Sequence, residues 1–363
     1  MTTFGIEEEF LLLDRGTQLP ATPAPQQAET LLAIDAGGGK ATPEWLTCQV
    51  EHTSPIYSDA ATALNSLLSF RRELASVAGS MGFDAAAVGT APDIALAAAQ
   101  ITPGERYHQL AGMTPAIAAD QYLNGMHVHI GLETLEDGVR ALNGLRPWLP
   151  LVAALGTNSP MWRGSDSGFA SWRSIHYRRW LANGIPPQFE NLADYQARLD
   201  ALLHFDVVES PSTLAWLTRI SHAHGTIEIR ACDVQLEASD AVVIALFIRA
   251  LVRMTLDTPV VAQIQPEMLE IAVWQSAKFG LSGSLMDPAT GTQKPAADVV
   301  HETLERLQPY FEGSDDETMV RHGLERMLTH GTGAERQRRA MRDGGLTGLL
   351  THAYSSLTAH PDH

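Results

Sequence analysis

The sequence predicts an α+β fold whose sheet has one apolar face and one chemically loaded polar face. Three observations lead there. Four segments alternate in polarity or are rich in β-branched residues, as strands are. Helical periodicity fills the intervals between them and most of the chain from about residue 260 onward. Each of the four strands also sets Glu, His or Arg opposite its aliphatic side chains. Strands alternating with helices would also suit a parallel α/β sheet, but a sheet covered on both faces tolerates such polar rows poorly.

In chain order, Phe4 to Asp14 is the first strand, and Pro20, Pro23 and Pro25 mark the loop after it. Gly37-Gly38-Gly39 marks a second loop before the strand Leu46 to Ser54. Ser58 to Ala78 reads as a helix with a good N-cap and an acidic first turn, stopping near Gly79. Asp84 to Gly89 is a weaker strand, and Gly125 to Glu133 is the third clear one. Leu135 to Leu155 is helical in pattern, broken or kinked by Pro147 and Pro150. Gly156 to Glu190 has little regular pattern, and segments of that kind are usually functional or mobile. It carries Arg163, Arg173, Arg178 and Arg179, a basic island in an acidic chain. Trp216 to Ser221 is a weak strand and Gly225 to Val234 the fourth clear one. The nearly all-apolar helix Ala238 to Leu256 should be buried. Further helices are expected at Glu267 to Phe279, Ala296 to Phe311, Asp316 to Thr329 and Ala334 to Arg342. With no repeat, low-complexity tract or linker, one domain over residues 1–363 is expected.

Composition narrows the function. The chain has 363 residues, enough to bury a sizeable core, and its 45% hydrophobic and 18% charged content is that of a globular protein. The net charge of −17 argues against general binding to nucleic acid or an anionic membrane. A nucleotide would have to be held locally, by metal ions or a few arginines. The two cysteines, Cys48 and Cys232, form no CxxC pair, which argues against a disulfide framework or thiolate zinc and suits a reducing compartment. The N-terminus lacks the basic and apolar regions of a signal peptide. The apolar stretch Ala241 to Met254 is too short to span a bilayer and is interrupted by Arg249 and Arg253. A cytoplasmic protein without membrane contact is expected.

Four motifs carry chemistry. In Gly5-Ile6-Glu7-Glu8-Glu9-Phe10, Glu7 and Glu9 share a face while Glu8 points with Ile6 and Phe10. Two like charges on one strand face call for a positive partner, and a divalent cation is the economical one. Glu51 shares a face with Gln49 and Thr53, and Glu44 just upstream could add a second oxygen ligand. His127 and His129 point one way from a strand whose other face is Met126, Val128 and Ile130. Thr226, Glu228 and Arg230 face away from Ile227, Ile229 and Ala231, with Arg219 a short turn upstream. Each motif alone could be a solvated strand face. In one sheet they would line a bowl with Glu7, Glu9, Glu51, His127, His129, Glu228 and Arg230, a donor set suited to Mg²⁺ or Mn²⁺ more than to structural zinc. Arg230 and His129 would then be free to hold phosphate.

GIEEEF, VEHTSP, GMHVHIG, NSPMWRG and GTIEIRACDVQ, in this order, resemble the carboxylate–amine ligase family, also called the YbdK family. These are relatives of the second bacterial type of glutamate–cysteine ligase. The resemblance continues through Lys278-Phe279-Gly280-Leu281 and Asp343-Gly344-Gly345-Leu346, and the HxH strand also resembles that of glutamine synthetase. It implies a curved, mainly antiparallel sheet forming a funnel backed by helices, in a homodimer. It implies that ATP phosphorylates a carboxylate, usually the glutamate γ-carboxylate, and that an amine such as cysteine displaces the phosphate. Carried over by position, Glu7, Glu9, Glu51, His127 and Glu228 would ligate Mg²⁺ or Mn²⁺. His129, Arg230 and Arg219 would contact ATP, with Glu51, Glu228 and Arg230 closest to the chemistry. Arg163 or Arg173 would bind the substrate carboxylate. Cys232, which by alternation falls on the Glu228/Arg230 face, is read as a bystander. No phosphate-binding Gly-rich loop of the Walker type is present.

Two other classes compete. A metal-dependent amide hydrolase could use the HxH strand and would turn over without ATP. A non-catalytic relative could bind nucleotide without amine-dependent turnover, but would not need to keep four acids facing inward.

Overall fold

In a computed structural model, residues 2–95, 99–205, 207–208, 210–258 and 264–360 are described. The strands are β1 (Phe4–Asp14), β2 (Lys40–Pro43), β3 (Gln49–Thr53), β4 (Phe83–Ala86), β5 (Gly125–Gly131), β6 (Thr218–Ser221) and β7 (Thr226–Asp233). They form a 7-stranded sheet ordered β2-β3-β1-β5-β7-β6, with β4 pairing with β1 off this path. Every pairing is antiparallel, which is why one face can stay polar.

The strand β1 explains the plan of the molecule. Its N-terminal half is amphipathic, whereas Phe10 to Leu13 is an unbroken apolar run. Phe10 and Leu12 pack with Phe70 and Leu74 of helix α1 (Ala60–Ser80). Leu11 and Leu13 pack on the opposite side with Trp45, Leu46, Val88, Leu349 and Leu350. The sheet is therefore covered on both faces at that end, and its polar face opens only around Glu7 and Glu9. Behind the opening, Ile6, Met126, Val128, Ile130, Ile227 and Ile229 form one core. That core is shared with helices α2 (Leu135–Leu145), α3 (Leu149–Leu155) and α5 (Ala238–Asp257). Helix α4 (Trp172–Tyr177) lies in the interval that had no regular sequence pattern, and the Ser171 side chain caps it by accepting from the Ser174 amide.

A short 3₁₀ turn over Arg146–Trp148 separates α2 from α3, the break expected from Pro147 and Pro150. The cap of α1 is Asp59, whose side chain accepts from the Thr62 amide at 2.8 Å. From residue 264 the described chain is mostly helical, in α6 (Pro266–Phe279), α7 (Ala296–Leu307), α8 (Ser314–His330) and α9 (Gly333–Leu357). Two features there were not expected. A small hairpin pairs Ser284–Met286 with Gln293–Pro295, and α9 runs well past Arg342, bending at Gly345 where φ is +64°. Among the described residues, no helix is long and apolar enough to cross a membrane.

One expectation is overturned. Cys232 does not lie on the face of Glu228 and Arg230. Met126 pairs with Cys232 but Val128 pairs with Ile229, so three steps on β7 match two on β5. This bulge reverses the alternation beyond Arg230. Cys232 enters the core and is 1% exposed, while Asp233 takes the polar side opposite Gly125.

Candidate active site

The polar face assembles most of the residues that the sequence singled out. Glu9 pairs with Glu51 across β1 and β3, Glu7 with His127 across β1 and β5, and His129 with Glu228 across β5 and β7. The His127 Nδ1 lies 3.1 Å from Glu7 Oε2, and the His129 Nε2 lies 3.3 Å from Glu7 Oε1. Glu7 is thus a shared corner. One ligand atom from each of Glu7, Glu51 and His127 can come within 4.8 Å of the others, and so can one from each of Glu7, His129 and Glu228.

The electrostatics follow from this crowding. Burial pushes the Glu7 carboxyl up, but hydrogen bonds and charge from His127 and His129 outweigh it and hold the group well below the usual range. Burial also opposes ionisation of Glu228, yet Arg230 and Arg219 bring it down to about 2. Arg219 grips Glu228 bidentately, Nε to Oε2 at 2.6 Å and Nη2 to Oε1 at 3.2 Å, and Arg230 bonds the same carboxylate. Among the described residues no arginine pairs with Glu51. Burial and the charges of Glu44, Glu7 and Glu9 push it well above its ordinary value. Burial and Glu9 push Glu44 up to about 8. Burial and Arg230 lower the His127 pKa, favouring the neutral imidazole that a metal requires.

A divalent cation fits this set. The buried His127 Nε2 has no hydrogen-bond partner among the described residues, and neither does Arg230 Nε, while His129 Nε2 meets only the Glu7 carboxylate. Carboxylates whose ionisation burial disfavours, beside an unpartnered imidazole nitrogen, are a mixed oxygen and nitrogen donor set suited to a divalent cation.

Two cavities open onto the cluster. The first, about 330 Å³, is lined by Glu7, His129, Thr226, His224, Ile56 and the glycines Gly5, Gly131 and Gly225. The second, about 150 Å³, is lined by Glu9, Glu44, His127, Arg173, Tyr177, Arg230 and neighbours that include Trp45, Trp180 and Gln121. Because Glu7 and Glu9, like His129 and His127, are alternate residues on one strand face, the two cavities flank one centre.

Arg173 reaches the second cavity from α4. It stacks on Tyr177 at 5.3 Å, and its Nη1 is 3.9 Å from Asp233 Oδ1. Asp233 accepts from the hydroxyls of Ser159 and Ser171 and from the Asn158 amide. This ties the Asn158-Ser159 segment to the site, as does the Arg173 amide donating to Ser159 Oγ at 3.0 Å, and Gly125 passes so close that a Cβ there would sit 2.3 Å from Arg173 Nη2. Arg163 is not brought in. Its side chain is 63% exposed, lies over Trp162 and faces Asp120. The roles of Asp233 and Tyr177 were missed. The bulge hid the first, and the second lies in a helix that the sequence pattern did not announce.

The fold and this row of glutamates and histidines define a class, the carbon–nitrogen ligases that build amides. Residues 3–353 match the model of glutamate–cysteine ligase family 2, and the chain belongs to that family. It is 36% identical over 344 residues to a Nocardia farcinica protein that carries the provisional name glutamate–cysteine ligase 2-1, covering 93% of this chain and 88% of that one. A Salinispora tropica protein provisionally named glutamate–cysteine ligase 2 is 36% identical over 359 residues, covering 96% and 93%. The fold is also that of the glutamate–cysteine ligase of Francisella tularensis, solved in complex with AMP. That likeness has a TM-score of 0.71 at 12% identity and covers 99% of this chain and 89% of that one. A bifunctional glutathione synthetase from Pasteurella multocida gives a TM-score of 0.68 at 14% identity, covering 98% and 51%.

Proposed function

We propose that this chain is an ATP-dependent carboxylate–amine ligase, with the glutamate γ-carboxylate as its acid, acting through an acyl phosphate. One observation carries this reading: two cavities meet at a single carboxylate–imidazole centre, so a nucleotide and a second substrate can be presented to each other across it. The first cavity takes the nucleotide, with His129 toward its phosphates and Arg230 facing them from the second cavity's side of the centre. Arg219 supports them indirectly, because Glu228 already engages its guanidinium. Arg173 in the second cavity takes a substrate carboxylate. Glu7, Glu9, Glu51, His127 and Glu228 hold Mg²⁺ or Mn²⁺, with Glu44 as a further oxygen donor. When bound, the ion neutralises charge on the phosphate oxygens.

The protein's own residues supply orientation. Arg230, fixed by Glu228 and by its 3.1 Å bond to the Tyr177 hydroxyl, places a rigid positive charge where the transferring phosphoryl group develops negative charge. Residues 1–363 act as one catalytic unit. A cytoplasmic setting agrees with a need for ATP, and the expected homodimer is checked by the mass of the particle in solution.

The test is phosphate release from Mg·ATP with carboxylates alone and then with amines, together with hydroxylamine trapping of an acyl phosphate. Release that needs a carboxylate, with an amide found by mass spectrometry when an amine is added, supports the proposal. Amide hydrolysis without ATP would favour the hydrolase, and nucleotide binding without turnover a non-catalytic relative.

A further inference from the structure

The second cavity has a wall that the phosphoryl chemistry does not use. Trp45 is 8% exposed and packs edge-on against Trp180 at 5.3 Å and against Tyr107 at 5.8 Å. Edge-to-face contacts of this kind fix both rings. The buried indole nitrogens of Trp45 and Trp180 have no hydrogen-bond partner among the described residues, and neither has the Gln121 Oε1. All three residues line the cavity, as does the apolar Leu123.

The chemistry of this wall is not that of a site selecting a small thiol. Cysteine would bury little surface on two indoles, and a methyl-sized change in an apolar pocket discriminates only weakly. Glu9, His127 and Arg230 belong to the reacting end of the cavity, and Arg173 is committed to a carboxylate. That leaves Trp45, Trp180 and Leu123 for the body of the other substrate. Resting on the ligase reading, we propose that Trp45 and Trp180 select the amine, and that it carries an aromatic or branched apolar body, with cysteine a poor substitute. Tryptophan rings offer such a body a flat, preorganised surface.

The test compares 2-phenylethylamine, leucine and cysteine as acceptors, with glutamate and Mg·ATP fixed, in the native chain and in Trp180→Ala and Trp180→Phe. The expected result is at least a tenfold preference in kcat/KM for an apolar amine over cysteine. Trp180→Ala should abolish the preference and leave the KM for Mg·ATP unchanged, while Trp180→Phe should retain part of it. Calorimetric titration with 2-phenylethylamine in the absence of ATP reads the wall without turnover. Binding lost in Trp180→Ala supports the wall even if no amide forms, a result that would count against the ligase reading alone. Cysteine preferred by the native chain and unaffected by Trp180→Ala overturns the proposal while leaving the ligase intact.

Discussion

Glu8 and Arg71 form an ion pair inside the core, 2.5 Å apart and with both side chains 0% exposed, directly behind the two glutamates that face the cavities. Arg71 also donates to the carbonyls of Gln235 and Leu236 and lies over the Phe10 ring, so every part of the guanidinium is engaged. Removing one partner strands the other charge. Arg71→Met should destabilise the protein by about 3–5 kcal/mol, whereas Glu8→Leu combined with Arg71→Met should recover much of that loss. Thermal and urea unfolding of the two single variants and the double variant measure the coupling.

Gly125 has a consequence for substrate binding more than for stability. Its amide donates to Glu9 Oε2, and a Cβ there would meet the end of Arg173. Gly125→Ala should therefore displace the guanidinium and leave the sheet in place. The expected outcome is a roughly tenfold higher KM for the carboxylate substrate, with the KM for Mg·ATP within about twofold. An equal rise in both would show that Arg173 does not hold that substrate.

Glu228 is held between Arg219 and Arg230, and neutralising it should release both. Glu228→Gln is expected to lower kcat by about 10²–10³, the size of effect seen when a positioned charge is lost from a transition state. Phosphate release under saturating Mg·ATP checks this, with circular dichroism confirming the fold.

Glu44 and Glu51 make the cation-free protein sensitive to pH. Glu44 has a folded pKa near 8 against an ordinary 4.5, and Glu51 shifts in the same direction. A raised pKa contributes stability that is present below about 4.5 and lost as pH rises through about 8. A divalent cation needs the deprotonated carboxylates, so its stabilisation should grow over the same window. The rise in Tm on adding millimolar MgCl₂ should be larger at about pH 8.5 than at about pH 6.5, and Glu44→Gln should flatten the difference. A Tm increment independent of pH would remove Glu44 from the cation's surroundings.

Much of this site was legible because alternation is a local property. Glu7 and Glu9, and likewise His127 and His129, show their shared faces in the sequence, and Glu8 shows that it points with Ile6 and Phe10. The remainder depended on distant parts of the chain. Nothing near Glu8 announces Arg71, which arrives from a helix 63 residues away. Nothing near Arg230 announces a bulge, since the irregularity arises from the pairing of two strands, so Cys232 was put on the wrong face and Asp233 was missed. The short strands β2 and β4 and the 284–295 hairpin are too brief for periodicity to register. Arg163 and Arg173 both lie in the irregular segment, and only the folded chain shows that one turns inward and the other to solvent.

The placement of β1 also bears on how the molecule is made. The strand β1 is an inner strand of the sheet made well before β5, so its Phe4 must wait for Ile130 and its Glu7 for His127. At ordinary rates of translation those partners follow roughly 6 to 25 s later. Until then Phe4 to Glu8 has no partner on the β5 side, and β5 in turn waits for β7, which is made later still. Folding dominated by such distant pairings is slow, so the nascent chain is most exposed to aggregation before its catalytic face can exist.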